Sequence, residues 1–353
     1  LTSLILDSHA DAEQMLKVAG QNTGLVQLEF HRSHAQPPFM TGHQRTLLST
    51  CTSLTQLHIA GFHIDGQALD LLLTHCTSIT DLTLGRITLD SSRADRQCSW
   101  RKLTLRGSFD TTLLQLTYLP LRAVQELWDP FVNTGTLCLP PPDVVPTTQL
   151  PSLLRQAATN LATCPAWIRT PPSQIRLSWG KGHELGAEQR VQLFKALVPL
   201  GVGHVTEMVI SLEEQLELGC MEVQALVSSI GDSLQTLRLA NCTLLGTFWK
   251  ALAQHLPHLS YLDLYSNVAT SVIDITVYLT LQSSSSTQPM RLEVDQGVLD
   301  AQSRLQLEQH ISSWQLELQG ITVLFEAPID EEEDEEKEEE EEEEEDDDEE
   351  DDM

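Results

Sequence analysis

Apolar and polar positions between Cys51 and Leu84 repeat one pattern. Cys51-Thr-Ser-Leu54 returns as Cys76-Thr-Ser-Ile79, and apolar residues follow at the same offsets: Leu54, Leu57 and Ile59, then Ile79, Leu82 and Leu84. The end of each set alternates apolar with polar, which predicts a short strand that buries one face. Between the copies, Ala68, Leu69, Leu72 and Leu73 carry the three-four spacing of an amphipathic helix. A strand with one returning helix cannot cover its own apolar face. Stacking on a neighbouring copy supplies the missing core, so the unit is expected in an array.

The pattern extends in both directions. LTSLIL at Leu1, LVQLEF at Leu25, LTQLHI at Leu54, ITDLTL at Ile79 and WRKLTL at Trp100 begin 24, 29, 25 and 21 residues apart. Helix positions are supplied by Met15, Leu16 and Val18 in the first unit and by Leu47 and Leu48 in the second. Val124 to Leu127 reads as a sixth strand whose last apolar position is taken by Asp129. From 128 to 172 the register fails among eight prolines, from Pro140 to Pro172, which predicts an irregular insertion around a surviving helix at 152–163. Strands resume at PSQIRL (172–177), VTEMVI (205–210), LQTLRL (234–239), LSYLDL (259–264) and PMRLEV (289–294), with a closing strand at 319–325. Helices are expected near 188–198, 221–230, 246–255 and 302–314.

Recurring L-x-x-L-x-L strands make 1–326 resemble the leucine-rich repeat superfamily. Leu259 to Asn267 and Leu234 to Cys242 extend the motif to L-x-x-L-x-L-x-x-N and L-x-x-L-x-L-x-x-C, similar to ribonuclease-inhibitor repeats. Cys-Thr-Ser with Ile64-Asp-Gly66 downstream resembles the cysteine-containing repeats found with F-box proteins. The resemblance implies an α/β fold: a curved solenoid over 1–327, strands on the concave side, helices on the convex side, serving as a protein-binding surface. Two further functions are implied by likeness. One is the substrate-recognition subunit of an F-box-type ubiquitin ligase. The other, through likeness to acidic leucine-rich nuclear phosphoproteins, is a chaperone for histones or other basic proteins.

Charge divides the chain again. Of the formal −30, the 24 residues from Asp330 to Met353 hold 22 acidic side chains and one Lys, leaving about −9 for the remainder. Like charges this dense repel, so 328–353 is expected to be a disordered acidic tail without helix or core. Seven cysteines without a C-x-x-C pair fit a reducing compartment, hence an intracellular location in cytoplasm or nucleus. No apolar run reaches membrane-spanning length, so no membrane association is expected. Leu1 stands inside a predicted strand, which leaves room for an upstream signal, cap or further domain.

Within a repeat array, the non-core strand positions face a ligand. They place Arg86, Arg101, Lys102 and Arg106 in the middle, with Arg32 before and Arg176 after, the one local basic excess in an acidic chain. Such a patch steers an acidic or phosphorylated partner, unless Asp81 and Glu126 neutralise it. The acidic tail itself is a candidate to fold back onto these arginines. Trp128, Phe131, Trp179, Tyr261 and Tyr265 fall at or near the same face as candidate anchors, with packing inside irregular units the competing explanation for Trp128 and Phe131. The expected partner-binding face is Arg86, Arg101, Lys102, Arg106, Arg176, Trp179, Tyr261 and Tyr265.

Enzyme chemistry finds little support. Gly231-Asp-Ser-Leu234 spells the block of the GDSL hydrolases, yet no Asp-x-x-His follows anywhere to activate the serine. No phosphate-binding loop occurs, and His31 and His34, three apart on a strand, point to opposite faces, so neither cofactor nor metal is expected. Net charge disfavours nucleic acid.

Overall fold

A computed structural model describes residues 2–7, 21–22, 24–31, 40, 42–50, 52–60, 62–88, 92–106, 109–140, 142–171, 173–179, 185–198, 205–230, 233–266, 268–285, 289–295 and 297–325. The expected first helix, with Met15, Leu16 and Val18, and the acidic tail lie outside them.

Alternation of strand and helix produces two parallel sheets. The first has six strands in the order β1 Ser3–Asp7, β2 Gln27–His31, β3 Gln56–Ile59, β5 Asp81–Leu84, β7 Lys102–Leu105 and β8 Glu126–Trp128. Two-residue strands β4 Ile64–Asp65 and β6 Ile87–Thr88 pair with each other. The second sheet has seven strands, again neighbours in chain order: β9 Thr136–Cys138, β10 Gln174–Trp179, β11 Glu207–Leu218, β12 Thr236–Leu244, β13 Tyr261–Tyr265, β14 Met290–Val294 and β15 Ile321–Phe325. Parallel neighbours need a crossover between them, and most connections here contain a helix. These are α1 Gly42–Thr50, α2 Gly66–His75, α3 Phe109–Tyr118, α4 Pro130–Thr134, α5 Leu150–Ala162 and α6 Pro165–Arg169. They continue as α7 Ala187–Lys195, α8 Cys220–Ile230, α9 Gly246–His255, α10 Val272–Ser285 and α11 Ala301–Trp314.

Register follows the leucines. Leu28 pairs with Leu57, Leu57 with Leu82 and Leu82 with Leu103, all at most 2% exposed. In the second sheet Met208, Leu237, Leu262 and Leu292 form the equivalent buried row. A one-residue slip would turn a whole strand's apolar set outward, so burial fixes the pairing. Helices close the core from the other side: α9 buries Phe248, Trp249, Ala251, Leu252 and Ala253, and one apolar cluster runs through both sheets.

Left-handed backbone bends β12 and closes β13. Asn241 and Ser266 adopt left-handed backbone two residues past Leu239 and Leu264. Cys242, the ninth position of its unit, is fully buried, and burial pushes its thiol up to about 12. Asn267, its counterpart, lies outside the described residues.

The proline-rich stretch is more regular than its sequence predicts. Prolines stand at the first turns of α4, α5 and α6, where a missing N–H costs nothing. Within it lies β9, which starts the second sheet by pairing with β10, with Leu137 and Leu139 buried. Asp129, the residue that interrupts the sixth strand motif, caps α4 by accepting from the N–H groups of Phe131 and Val132. The first sheet therefore ends at β8 and a new one begins eight residues later.

Candidate functional site

Opposite the buried leucines, each sheet presents rows of polar side chains. In the first sheet Ser3, Gln27, Gln56, Asp81, Lys102 and Glu126 stand in successive register, and beside them Glu29, His58, Thr83, Thr104 and Trp128. Between the rows lies an open depression of about 260 Å³, lined by Glu29, His58, Asp81, Thr83, Lys102 and Arg106 among others.

Four of the expected binding residues belong here. Lys102 is on β7, and its Nζ lies 3.7 Å from an Asp81 carboxylate oxygen, both side chains well exposed. A pair so accessible to water holds weakly. Arg86, Arg101 and Arg106 are exposed, and among the described residues none makes an ion pair. Their backbones are held firmly all the same. Arg101 donates its N–H to Thr80 and accepts from Gln125 and Glu126, Arg106 donates to Leu84, and the Arg86 carbonyl accepts from Ile64. Fixed backbones carrying unpaired guanidinium groups present ready donors for a carboxylate or phosphate. Beside Arg86, His63 has its pKa lowered, by burial first and then by the charge of Arg86, against a smaller opposing effect of Asp65. Trp128, 47% exposed at the edge strand, stands in register with Thr104 and extends the face with a large aromatic surface. Arg32 lies outside the described residues.

The other expected residues sit on the second sheet. Arg176, on β10, is exposed between Thr136 and Val209 in register. Trp179 ends β10, and its side chain lies outside what is described. Tyr261 and Tyr265 are half-buried on β13. Tyr261 is enclosed by charge: the guanidinium carbons of Arg238 and Arg291 lie 5.5 and 5.6 Å from its ring centre. Its hydroxyl donates to Glu293, which also pairs with Arg291. Arg238 reaches Glu207 at 3.2 Å and Asp263 at 3.9 Å, and Gln174 donates to Glu207 at 3.0 Å. Burial alone would raise the Glu293 carboxyl; the hydrogen bonds from Tyr261 and Arg291, with the charges of Arg291 and Arg238, outweigh it and hold the pKa below the ordinary value. Tyr261 is pushed well above the usual phenol range, by burial first and then by the bond to Glu293.

The eight expected residues are thus divided between two sheets of different character. On the first sheet Lys102 and Arg106 line an open depression, and Arg86, Arg101 and Arg106 make no ion pair among the described residues, whereas Tyr261 belongs to a network of ion pairs and hydrogen bonds. Sequence reasoning missed Arg238, Asp263 and Glu293. All three occupy the position between the last two apolar residues of their units, so aligning the units column by column places them in one charged column. Phe131 is a correction: it is 1% exposed and stacks on Trp167 at 5.6 Å, because capping by Asp129 turns α4 inward, and it cannot contact a ligand on the polar face.

Ser233, the serine of Gly-Asp-Ser-Leu, donates to the Val205 and Ile230 carbonyls and serves the turn into β12. Among the described residues no group of three His, Cys, Asp or Glu side chains is placed to hold a metal, and no helix is long and apolar enough to cross a membrane.

No family model matches the chain, and no curated protein matches it. Among solved structures it is similar to the leucine-rich repeat-containing protein LegL7 from Legionella pneumophila, at 14% identity over 92% of this chain and 89% of that one, with a TM-score of 0.36.

Proposed function

We propose that the chain is a non-enzymatic protein-recognition scaffold, a leucine-rich repeat solenoid that holds a partner on the polar, concave side of its six-stranded sheet. The observation that carries this reading is the contrast between the two polar faces. Arg86, Arg101 and Arg106 offer donors with no ion pair among the described residues, beside a depression of about 260 Å³ and the exposed ring of Trp128. Arginine and tryptophan are the side chains that most often dominate binding energy, and both are poorly used where they stand. Complementary chemistry is an acidic or phosphorylated protein segment, whose oxygens accept from the guanidinium groups while its backbone lies along Thr83 and Thr104. The second-sheet network has few donors left to offer and serves mainly to hold its strands in register.

The test compares partners recovered by the full-length chain with those recovered by an R101A/K102A/R106A chain and by an R238A control. The reading expects the triple substitution to lose them and the control to retain them. Identical recovery by all three would overturn it.

A further inference from the structure

Charge is segregated along the array in a way that bears on the tail. Residues 86–195 hold 13 Lys and Arg against 8 Asp and Glu, whereas 196–329 hold 4 against 14. The tail, net −21, therefore follows directly on a segment of its own sign and is attracted only to the middle of the chain. There Arg86, just past β5, and Arg101 and Arg106, at the two ends of β7, are exposed and make no ion pair among the described residues, with Lys102 only loosely engaged by Asp81.

We infer that the acidic tail, 330–353, occupies the basic strand face of its own chain and competes there with the partner. This regulation rests on the reading of that face as the docking surface. Reach permits it. From the end of β15 at Phe325, the 28 residues 326–353 extend to at most about 95 Å. The seven-stranded sheet is only about 29 Å across, at about 4.8 Å per strand step, which leaves ample chain for β8 and β7 beyond it. Tethering keeps the tail at an effective concentration in the millimolar range, so even a weak, salt-screened attachment is populated. The partner must then displace the tail, and its apparent affinity rises as neutralisation or removal of the tail releases the face.

Six lysines make this directly measurable: Lys17, Lys102, Lys181, Lys195, Lys250 and Lys337. A carbodiimide joins a carboxylate to an amine that it touches, with loss of water. In the full-length chain at low salt, tail peptides are expected on Lys102 and not on Lys250, which is equally accessible on α9 but lies in the acidic segment. The Lys102 adduct is expected to fall at least about tenfold in 0.5 M NaCl and several-fold in an R101A/R106A chain, whose exposed substitutions leave the core intact. In a mixture of ¹⁴N and ¹⁵N chains the adduct is expected within one isotope. Adducts on Lys250 in place of Lys102, an adduct unchanged by R101A/R106A, or adducts that mix isotopes would each overturn the inference. Because no partner is present, a failed cross-link leaves the docking surface to its own test, and a failed capture leaves the cross-link standing.

Discussion

Asp129 is completely buried, and one of its carboxylate oxygens has no hydrogen-bond partner. Burial raises its pKa from 3.8 to about 7, against the smaller opposing effect of the Val132 and Phe131 N–H groups. The folded chain thus holds this proton more tightly than the unfolded chain. Its contribution favours folding below about pH 4 and is lost as pH rises from there through about 7. Asp129→Asn keeps an acceptor for the cap and removes the charge. Melting curves from pH 5 to pH 8 are expected to fall for the wild type and to stay nearly level for D129N, a difference growing to about 2–4 kcal/mol at the alkaline end. Parallel pH slopes would show that the carboxyl is not the cause. Gly85 is a second residue with a single reason to be there. A Cβ added to it would stand 2.2 Å from the Ala60 carbonyl oxygen and 2.8 Å from that of Phe62, both backbone atoms that cannot swing aside. G85A is expected to lose at least about 2 kcal/mol in denaturant unfolding, whereas G297A, with nothing within 4 Å of its new Cβ, is expected to change little. Of these properties the sequence shows only that Asp129 interrupts an apolar column; its burial depends on α4 turning inward, which no local pattern reveals.

Between elements, the most buried ion pair joins α7 to α8. Arg190 Nε lies 2.9 Å from Glu222, and the other carboxylate oxygen accepts from the Gly219 N–H, with both side chains largely out of water. Removing one partner strands the other. R190M alone is expected to cost about 3–5 kcal/mol, and pairing it with E222Q to recover part of that, in a double-mutant cycle of unfolding free energies. A purely additive cycle would mean that the contact contributes nothing. Elements whose apolar residues alternate with polar ones were legible beforehand: ten strands and helices α2, α5, α7, α8, α9 and α11 fall within a few residues of their predicted spans. Helix α10 was not, since Ile273, Val277 and Leu281 face outward while Ile275, Tyr278 and Leu279 are buried, leaving no polar face to mark a period. Strand β9 escaped because Thr136-Leu-Cys138 is too short to show alternation among the prolines that surround it.

At the scale of the molecule, two parallel sheets in chain order each leave a polar face, and what distinguishes the two faces is electrostatic. On the second sheet, each carboxylate of the network meets an arginine: Arg238 pairs with Glu207 and Asp263, and Arg291 pairs with Glu293. On the first, the arginines outnumber their partners. The basic excess was visible in the sequence, but the satisfaction of Tyr261 was not, since it depends on which side chains register pairing brings together. As proposed, a partner docks on the first sheet and not on the second. Hydroxyl-radical footprinting of the full-length chain, free and with a captured partner, compares the two directly. Protection of Trp128 and His58 with unchanged oxidation of Tyr261 and Tyr265 is the predicted result. Protection of the two tyrosines, with Trp128 left as reactive as before, would contradict it.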